Sequence, residues 1–313
     1  MSRLAAAAAL SLLLPLLPAC DAAAPLVIGG PGSTPGRFDR PRGISARAGR
    51  IAVLDVSGRL QRFSFDGVLE REHPVMPAGS LRGFPLGLLL RPDGESLVVH
   101  THEAALVRYA ADGREISRWG VNGVKDGEFC MPQRAVEWNG KVFVSDFGYE
   151  ECRRVQVFTP EGKFLRRIGG PGTESVFQRC MGLAVDIAGV LWVADESHRL
   201  YRFDAATGRP LGALGKEGDG PREMRWPTGM AALPNGGVVI CEAGNSRLQR
   251  FDGAGKSLGV FGGPGALPGE FRGPYDLAVD PPWLFVADTD NHRVQRFRLD
   301  AIPWAPPGGG KGP

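Results

Sequence analysis

The sequence predicts an all-β fold, a closed ring of small sheets known as a six-bladed β-propeller. Three observations predict it: a repeat along the chain, a high content of turn-forming residues, and two similar segments near the two ends. The 313 residues include 45 glycines and 26 prolines. Such a composition suits many short strands joined by tight turns rather than long helices.

The repeat is an apolar run that ends in an aromatic residue, and it occurs six times. The aromatic residues are Phe63, Tyr109, Phe158, Phe203, Phe251 and Phe297. The differences between these numbers give spacings of 46, 49, 45, 48 and 46 residues. One four-stranded sheet with its turns needs about this many residues, and the period-2 alternation of segments such as "RVQRF" favours strands. Six repeats therefore predict six blades.

Two similar segments predict how the ring closes. "LVIGGPGSTPGRFDRP" at 26–41 and "GVFGGPGALPGEFRGP" at 259–274 are identical at nine of sixteen positions. In the later segment, the residues before Gly-Gly-Pro-Gly are expected to form the outermost strand of a blade. No such strand follows Phe297. We expect residues 25–30 to supply it, so that the N-terminal strand closes the last blade and leaves no open edge there.

The first residues are expected to lie outside the ring. Arg3 precedes an apolar run, residues 4–17, that is too short for a permanent membrane span and ends in "LPAC". This segment resembles the signal of bacterial lipoproteins, which implies that cleavage leaves Cys20 as a lipid-modified first residue. An ordinary secretory leader is the alternative. A lipid on Cys20 would anchor the protein to the cell membrane or outer membrane, facing the periplasm or the exterior.

The chain therefore divides into four predicted parts, given in order. Residues 1–19 are a signal peptide, 20–24 the lipidated cysteine with a short tether, 25–300 the propeller, and 301–313 a disordered tail.

The last copy of the repeat, "ADTDNHRVQRF", resembles NHL repeats, and the resemblance extends over almost the whole mature chain. In five copies an acidic residue ends the second strand: Asp55, Asp146, Asp195, Glu242 and Asp288. The second copy has His100 there and is the most degenerate. The motif is specific for a fold but says little about activity.

The third copy carries a further resemblance. Residues 129–164, "FCMPQRAVEWNGKVFVSDFGYEECRRVQVFTPEGKF", are similar to a blade of the peptidylglycine amidating lyases, whose six-bladed NHL propeller holds zinc. The resemblance implies a disulfide between Cys130 and Cys152, and it places Tyr149 where those lyases have a catalytic tyrosine. The loop also has residues that the lyase pattern lacks, Phe147 and the two glutamates before Cys152.

The resemblance also indicates where zinc ligands would lie, one residue after the proline that starts each blade. The residues at these positions are Arg42, Leu86, Gln133, Met181, Thr228 and Tyr275. None is a histidine, and zinc requires three or four converging nitrogen, sulfur or oxygen donors. We therefore predict no cofactor, and a divalent metal in the central channel is the alternative.

The histidines have structural as well as functional interpretations. His100 and His102 are spaced by two, so both are expected on one side of a strand or its continuation, where with Glu103 they could bind a metal. His198 and His292 belong to the repeat and are expected to order the loops at the blade tops.

Charge and loop variation together predict the function. The 37 basic and 34 acidic residues are scattered, which gives no indication of a nucleic-acid partner. Linkers between blades and loops between second and third strands should share one face. The predicted binding face comprises Tyr149, Glu150, Glu151, Trp138, His100, His102, Glu103, His198, Met181 and Tyr275. We predict a monomeric, lipid-anchored module that binds an envelope protein, peptide or glycan. A metal-dependent propeller enzyme of the lyase or lactonase type is the alternative.

Overall fold

The structure is a computed structural model that describes residues 25–76 and 85–306, so the predicted signal peptide and Cys20 lie outside the described residues. The described residues form six four-stranded antiparallel sheets. The first strands of successive sheets contact one another in a closed circle. The fold is therefore the predicted six-bladed propeller. No helix within residues 25–76 and 85–306 is long and apolar enough to cross a membrane.

The strands of each blade are consecutive in the chain, except that the first strand, β1, belongs to blade 6. They are β1 (Leu26–Gly29); in blade 1, β2 (Pro41–Arg47), β3 (Arg50–Asp55), β4 (Arg59–Ser64) and β5 (Leu69–Pro74); in blade 2, β6 (Gly87–Leu90), β7 (Ser96–His100), β8 (Ala105–Tyr109) and β9 (Glu115–Trp119); and in blade 3, β10 (Met131–Trp138), β11 (Lys141–Phe147), β12 (Arg154–Phe158) and β13 (Phe164–Ile168).

The second half of the ring has the same order. Blade 4 contains β14 (Cys180–Val185), β15 (Val190–Asp195), β16 (Arg199–Asp204) and β17 (Pro210–Leu214); a linker follows with the short pair β18 (Lys216–Glu217) and β19 (Glu223–Met224); blade 5 contains β20 (Pro227–Ala232), β21 (Val238–Glu242), β22 (Arg247–Phe251) and β23 (Ser257–Phe261); and blade 6 contains β24 (Pro274–Asp280), β25 (Trp283–Asp288) and β26 (Arg293–Arg298). Single 3₁₀ turns occur at Thr101–Glu103, Glu150–Cys152, Thr289–Asn291 and Leu299–Ala301.

The ring closes as the sequence predicts. Strand β1 pairs antiparallel with β26, from Leu26 opposite Arg296 to Gly29 opposite Arg293. The Ile28 side chain is buried in the core between blades 6 and 1. The beginning of the chain therefore completes the last blade, and Pro25 lies toward the end of β26 that carries Arg298.

Buried aromatic residues fix the linkers between blades. Phe38, Phe129, Phe177 and Phe271 each lie two or three residues before the first strand of a blade and are fully buried. The Phe38 ring packs 5.7 Å from the ring of Phe63, and the Phe129 ring packs 5.3 Å from that of Phe158. Burying one such side chain contributes about 1.5–3 kcal/mol, so each linker is fixed to the blade that it enters.

A bulge at the start of the first strand aims one residue of the blade at the channel. The pairing register shifts after the first or second residue of the first strand in five blades, for example between Pro41 and Gly43 and between Pro274 and Asp276. The residue skipped by the ladder, such as Arg42 or Tyr275, is left unpaired and its side chain is redirected.

Two residues after the proline or cysteine that starts each blade, a glycine occurs in four blades, because the next blade approaches closely there. A Cβ on Gly182 would lie 2.1 Å from the carbonyl oxygen of Thr228, and one on Gly87 would lie 2.6 Å from that of Gln133. Blades 3 and 6 have Arg134 and Asp276 there instead. These two side chains form a buried ion pair, with Arg134 Nη2 3.6 Å from Asp276 Oδ2.

The chain does not become disordered at residue 301, contrary to the prediction. Ala305 forms an antiparallel bridge with Val260, with N–H···O distances of 2.9 and 3.1 Å. The Trp304 ring packs 6.1 Å from that of Phe261, and Ile302 is buried. The apolar side chains of Ile302 and Trp304 hold this segment against blade 5. The prediction of disorder rested on the proline and glycine content of the whole tail and gave no weight to these two residues. Residues 307–313 lie outside the described residues.

Candidate functional site

The two faces of the ring differ in what they carry. Each blade begins its first strand and ends its second strand at the same face, as the pairing of Pro132 with Asp146 shows. This face, which also holds the linkers between blades, is called the loop face. The opposite face carries the tight turns, such as the one between Trp138 and Lys141, and is called the turn face.

Exposed apolar side chains collect on the loop face. Twelve large apolar side chains are exposed among residues 25–76 and 85–306, and six of them lie in its loops and linkers. These six are Val121, Val124, Tyr149, Val176, Trp226 and Leu267. They include both exposed aromatic residues, with Tyr149 73% and Trp226 60% exposed. The turn face carries Val68 and Ile187, and the other four lie on β-strands at blade edges.

The loop of blade 3 holds Tyr149 outward through three local constraints. Cys130 and Cys152 form the expected disulfide, which joins the start of the blade to this loop. Phe147 turns inward and is buried, with the Arg179 guanidinium carbon 4.1 Å from its ring centroid. Gly148 follows at φ +115°, a conformation that other residues rarely adopt, and the chain then exposes Tyr149.

Glu150 and Glu151 follow Tyr149 and are both exposed. The Glu150 carboxylate lies 3.8 Å from the Arg153 guanidinium, and its side chain is 83% exposed. An exposed pair at this distance contributes little to stability, so the acidic charge remains open to a partner. The structure places Tyr149, Glu150 and Glu151 together on one exposed loop.

Asp146 lies under this loop and is fully buried. Its carboxylate accepts the backbone N–H of Met131 at 2.9 Å and that of Cys130 at 3.1 Å, and Arg154 Nε lies 3.8 Å away. Burial raises the pKa of Asp146 to about 7, against the opposing effect of these hydrogen bonds. The carboxyl ties the linker to the end of the second strand.

Three of the six channel positions, Arg42, Gln133 and Tyr275, lie together at the channel, and they do not form a metal site. Gln133 Nε2 donates to Tyr275 Oη at 3.2 Å across the ring, and the Arg42 guanidinium lies 4.8 Å from the Tyr275 ring centroid. Arg134, from the same strand as Gln133, also faces the Tyr275 ring at 5.4 Å. Two guanidinium groups beside an amide and a phenol do not fit a zinc ion, which requires converging uncharged or anionic donors.

The side-chain oxygen of Gln133 lies at this level without a hydrogen-bond partner among the described residues. The side chain of Gln133 is fully buried, and its Oε1 accepts no hydrogen bond from the described residues. On the turn-face side of Arg134 and Asp276, the channel widens into a cavity of about 210 Å³ lined by first-strand residues such as Leu183 and Met230.

His100 and His102 do not share a side, contrary to the prediction. The chain leaves the strand at His100 and makes a 3₁₀ turn over Thr101–Glu103, so the alternation of a strand ends there. His100 is buried, with Nε2 3.3 Å from Tyr109 Oη and Nδ1 3.6 Å from Glu103, whereas His102 is exposed. Burial lowers the pKa of His100 to about 4. His100 therefore belongs to the interior and not to the binding face.

Trp138 also lies elsewhere than predicted. It ends β10 opposite Lys141, at the turn face, and its ring packs 6.4 Å from the ring of Phe143. The eight-residue strand carries the chain from one face to the other, so Trp138 and Tyr149 cannot contact one ligand on a single face. Met181 and Tyr275 are half-buried at the channel, as their positions after the first residue of a blade imply.

His198 has the ordering role expected of the repeat. Its Nδ1 accepts the backbone N–H of Trp226 at 3.1 Å, and His292 Nδ1 accepts that of Arg40 at 3.2 Å. Each histidine thus fixes the residue before the next blade. Trp226 itself was missed by the sequence analysis, although a tryptophan directly before the first proline of blade 5 is a visible departure from the repeat.

Comparison with sequence families supports the repeat. Residues 224–251 match the family model described as the NHL repeat. The "RING finger protein nhl-1" of Caenorhabditis elegans is 37% identical over 83 residues, which are 26% of this chain and 8% of that protein. The chain therefore spans a small part of this curated relative.

Comparison with solved structures supports the fold. Virginiamycin B lyase from Staphylococcus aureus superposes with a TM-score of 0.57 at 13% identity, over 83% of this chain and 95% of that one. A catalytically inactive histidine-to-alanine form of the same lyase with quinupristin gives 0.56 at 16% identity, over 90% and 91%. A protein of unknown function from Bacteroides caccae gives 0.52 at 18% identity, over 75% and 92%. At these identities the likeness shows the fold alone.

Proposed function

We propose that this six-bladed propeller with its NHL repeat is a binding module that holds an envelope protein or peptide on its loop face. The observation that carries the proposal is the concentration of exposed apolar side chains there, including Tyr149 and Trp226. Aromatic residues within a polar surround are the groups that protein interfaces use most. The exposed carboxylates of Glu150 and Glu151 favour a partner segment with basic side chains.

The anchor completes the proposal. Cys20 would carry lipid, and residues 21–24 would join it to Pro25, a distance of about 14 Å at most for four extended residues. Because Pro25 lies toward the turn-face end of β26, this tether would hold the turn face toward the membrane. The loop face would then point away from the lipid, accessible to partners. Replacing Cys20 by Ala should release the mature protein into the soluble fraction of fractionated cells.

The binding test uses matched single-residue changes on the two faces. Tyr149→Ala and Trp226→Ala remove exposed rings from the loop face, and Ile187→Ala removes a 77% exposed side chain from the turn face. Each variant would be used as bait with solubilised membranes, and the captured proteins compared by mass spectrometry. We expect a partner that is retained by wild type and Ile187→Ala but reduced at least about tenfold by Trp226→Ala, as for an interface anchor.

The outcomes separate the classes of partner. A partner captured equally by all variants would contradict binding at the loop face. If enzymatic removal of glycans from the membrane proteins abolished capture, and a free oligosaccharide competed with capture, the loop face would be assigned to a glycan instead. Circular dichroism of each variant controls for folding, which removal of an exposed ring should leave unchanged.

A second candidate is a propeller enzyme, favoured by the fold shared with a lyase over most of both chains. Gln133 Oε1 and the Tyr275 hydroxyl at the channel would then bind a substrate. Elemental analysis and turnover assays on the purified chain test this candidate. Turnover of a substrate that is lost on replacing Gln133 or Tyr275 would favour the enzyme over the binding module.

A further inference from the structure

The strongest unassigned cluster of metal-binding groups lies beneath the blade 3 loop. Cys130 Sγ, Cys152 Sγ and one carboxylate oxygen of Asp146 all lie within 4.8 Å of one another. Within residues 25–76 and 85–306, this is the one group of three or more histidine, cysteine, aspartate or glutamate side chains that meets such a distance. Two sulfurs and a carboxylate are ligands that zinc accepts in proteins.

A fourth candidate ligand atom lies beside the two sulfurs. The carbonyl oxygen of Gly123, in the linker before blade 3, lies 3.6 Å from Cys130 Sγ and 3.9 Å from Cys152 Sγ. Ligands of a tetrahedral ion with bonds of about 2.0–2.3 Å lie roughly 3.3–3.8 Å apart. The Gly123 carbonyl oxygen and one oxygen of Asp146 therefore lie close to both sulfurs. The sulfurs are bonded to each other in this structure, and reduction frees them to separate to the distance that two ligands of one ion require.

The charges also balance. A divalent ion with two thiolates and the Asp146 carboxylate carries a net charge of −1, and the buried guanidinium of Arg154 lies beside Asp146. Arg154 is held in place by three linker carbonyls, those of Val124, Lys125 and Glu128, at 2.8–2.9 Å. The ion with its ligands and Arg154 would be neutral as a unit, as the interior of a protein requires.

We propose that Cys130, Cys152 and Asp146, with the Gly123 carbonyl, form a zinc site when the disulfide is reduced. The blade 3 loop would then be cross-linked either by the disulfide or by the zinc ion. In the first step a reductant with two thiols transfers two electrons and two protons, which gives two cysteine thiols and the disulfide of the reductant. In the second step the ion replaces the two thiol protons, which leave to solvent, and binds two thiolates. Either cross-link, the disulfide or the zinc ion, joins the start of blade 3 to the loop that presents Tyr149.

The test uses the full chain and Co²⁺ as the probe, because thiolate ligands give Co²⁺ a charge-transfer absorption. The chain is reduced with a phosphine, freed of reductant without air, and titrated. We expect one Co²⁺ per reduced chain with thiolate absorption, displaced by Zn²⁺, and none for the oxidised chain. Cys130→Ser should abolish the absorption, and Asp146→Asn should weaken binding about tenfold or more.

The two remaining described cysteines supply the control. Cys180 and Cys241 are free and buried, so any signal from their thiols must be distinguished from that of the proposed site. The double variant Cys180→Ala, Cys241→Ala should retain the full Co²⁺ signal. Loss of the signal in this variant, or its survival in Cys130→Ser, would overturn the proposal.

A measurement on the wild-type chain keeps the proposal testable if a variant fails to fold. Zn²⁺ should protect Cys130 and Cys152 of the reduced chain from alkylation at least about tenfold, as measured by peptide mass spectrometry. Equal alkylation with and without Zn²⁺ would refute the site. This result is independent of the partner on the loop face, so failure here leaves the binding proposal standing.

Discussion

The loops after the second strands of blades 6 and 2 have similar backbone conformations, but different side chains stabilise them. Each has a 3₁₀ turn after its second strand, at Thr289–Asn291 and Thr101–Glu103. A left-handed residue ends each turn, His292 at φ 53° in blade 6 and Ala104 at φ 51° in blade 2. The spacing of the repeat is therefore sufficient to shape this loop whichever side chains fill it.

Blade 6 stabilises the loop with a buried carboxylate. Asp288 accepts the backbone N–H of Arg272 at 2.7 Å, Arg293 Nε at 2.7 Å, Asn291 Nδ2 at 2.8 Å and Gln295 Nε2 at 3.1 Å. One acidic group thus connects the linker, the loop and the third strand. Charge-assisted hydrogen bonds of this kind are about twice as strong as neutral ones.

Blade 2 changes two positions of the repeat together. His100 replaces the acid, and Tyr109 replaces the phenylalanine that ends the third strand in the other blades. The two new side chains meet at 3.3 Å, and the Tyr109 hydroxyl also donates to the carbonyl oxygen of Val75 in blade 1 at 3.1 Å. A neutral pair has replaced a carboxylate, so blade 2 should respond to pH and to mutation differently from blade 6.

The largest difference is expected when the buried groups are removed. Asp288→Ala removes the acceptor of Arg293 Nε and of the Arg272 N–H, and it leaves the nearly buried positive charge of Arg293 without its carboxylate. We expect the free energy of unfolding to fall by about 3–5 kcal/mol. His100→Ala removes a neutral group and should lower it by about 1–3 kcal/mol. Denaturant titration measures both, and equal losses would contradict the contrast between the blades.

The second-largest expected effect is a loss of stability at low pH that arises in blade 2. Burial lowers the pKa of His100 to about 4 from 6.5, and the same holds for the half-buried His73 near the Tyr109 ring. Because the unfolded chain binds these protons at higher pH, stability is complete above about pH 6.5 and is lost as the pH falls toward 4. For His100 the loss should be about 2–3 kcal/mol, and less for His73.

The check on this pH dependence is a single variant. Unfolding of wild type and His100→Gln would be measured at several pH values between 7 and 4. The variant has no imidazole at this position, so its stability should decline less steeply over that range. A slope identical to that of wild type would show that the proton is bound elsewhere.

The smallest difference concerns two equivalent threonines. Thr289 Oγ1 donates to the carbonyl oxygen of Pro41 at 2.6 Å and so links blade 6 to blade 1. Thr101 Oγ1 is buried and has no hydrogen-bond partner among the described residues. Thr289→Val should therefore destabilise by about 1–2 kcal/mol, and Thr101→Val should be neutral or slightly stabilising. A loss of equal size in both variants, measured by thermal unfolding, would argue against the comparison.

Much of the fold could be predicted because it depends on spacing. The six periods, the closing strand at residues 26–29 and the roles of His198 and His292 all follow from repeated positions. The cysteine pairing followed from the resemblance of blade 3 to another family. The errors arose where a local rule stopped applying. A 3₁₀ turn separated His100 from His102, and an eight-residue strand moved Trp138 to the other face.

Two further residues had a signal that the sequence analysis did not use. The third residue of the blade start is glycine in four copies, but Arg134 and Asp276 in copies 3 and 6. Both departures carry charge, of opposite sign, in blades that lie across the ring from each other. Two residues of opposite charge that replace the glycine of the repeat in facing blades predict a contact between them. The distance of the Arg134–Asp276 ion pair and its burial could be known only from the structure.

The Arg134 side chain has a consequence for transport through the ring. Its guanidinium donates to the carbonyl oxygen of Leu86 and lies within hydrogen-bonding distance of the carbonyl oxygens of Arg42 and Tyr275, at 3.3 and 3.5 Å. One side chain from blade 3 thereby connects blades 2, 1 and 6 at the axis. A side chain thus crosses the centre of the wheel, and a solute that passed from one face to the other would have to displace Arg134 and break these contacts.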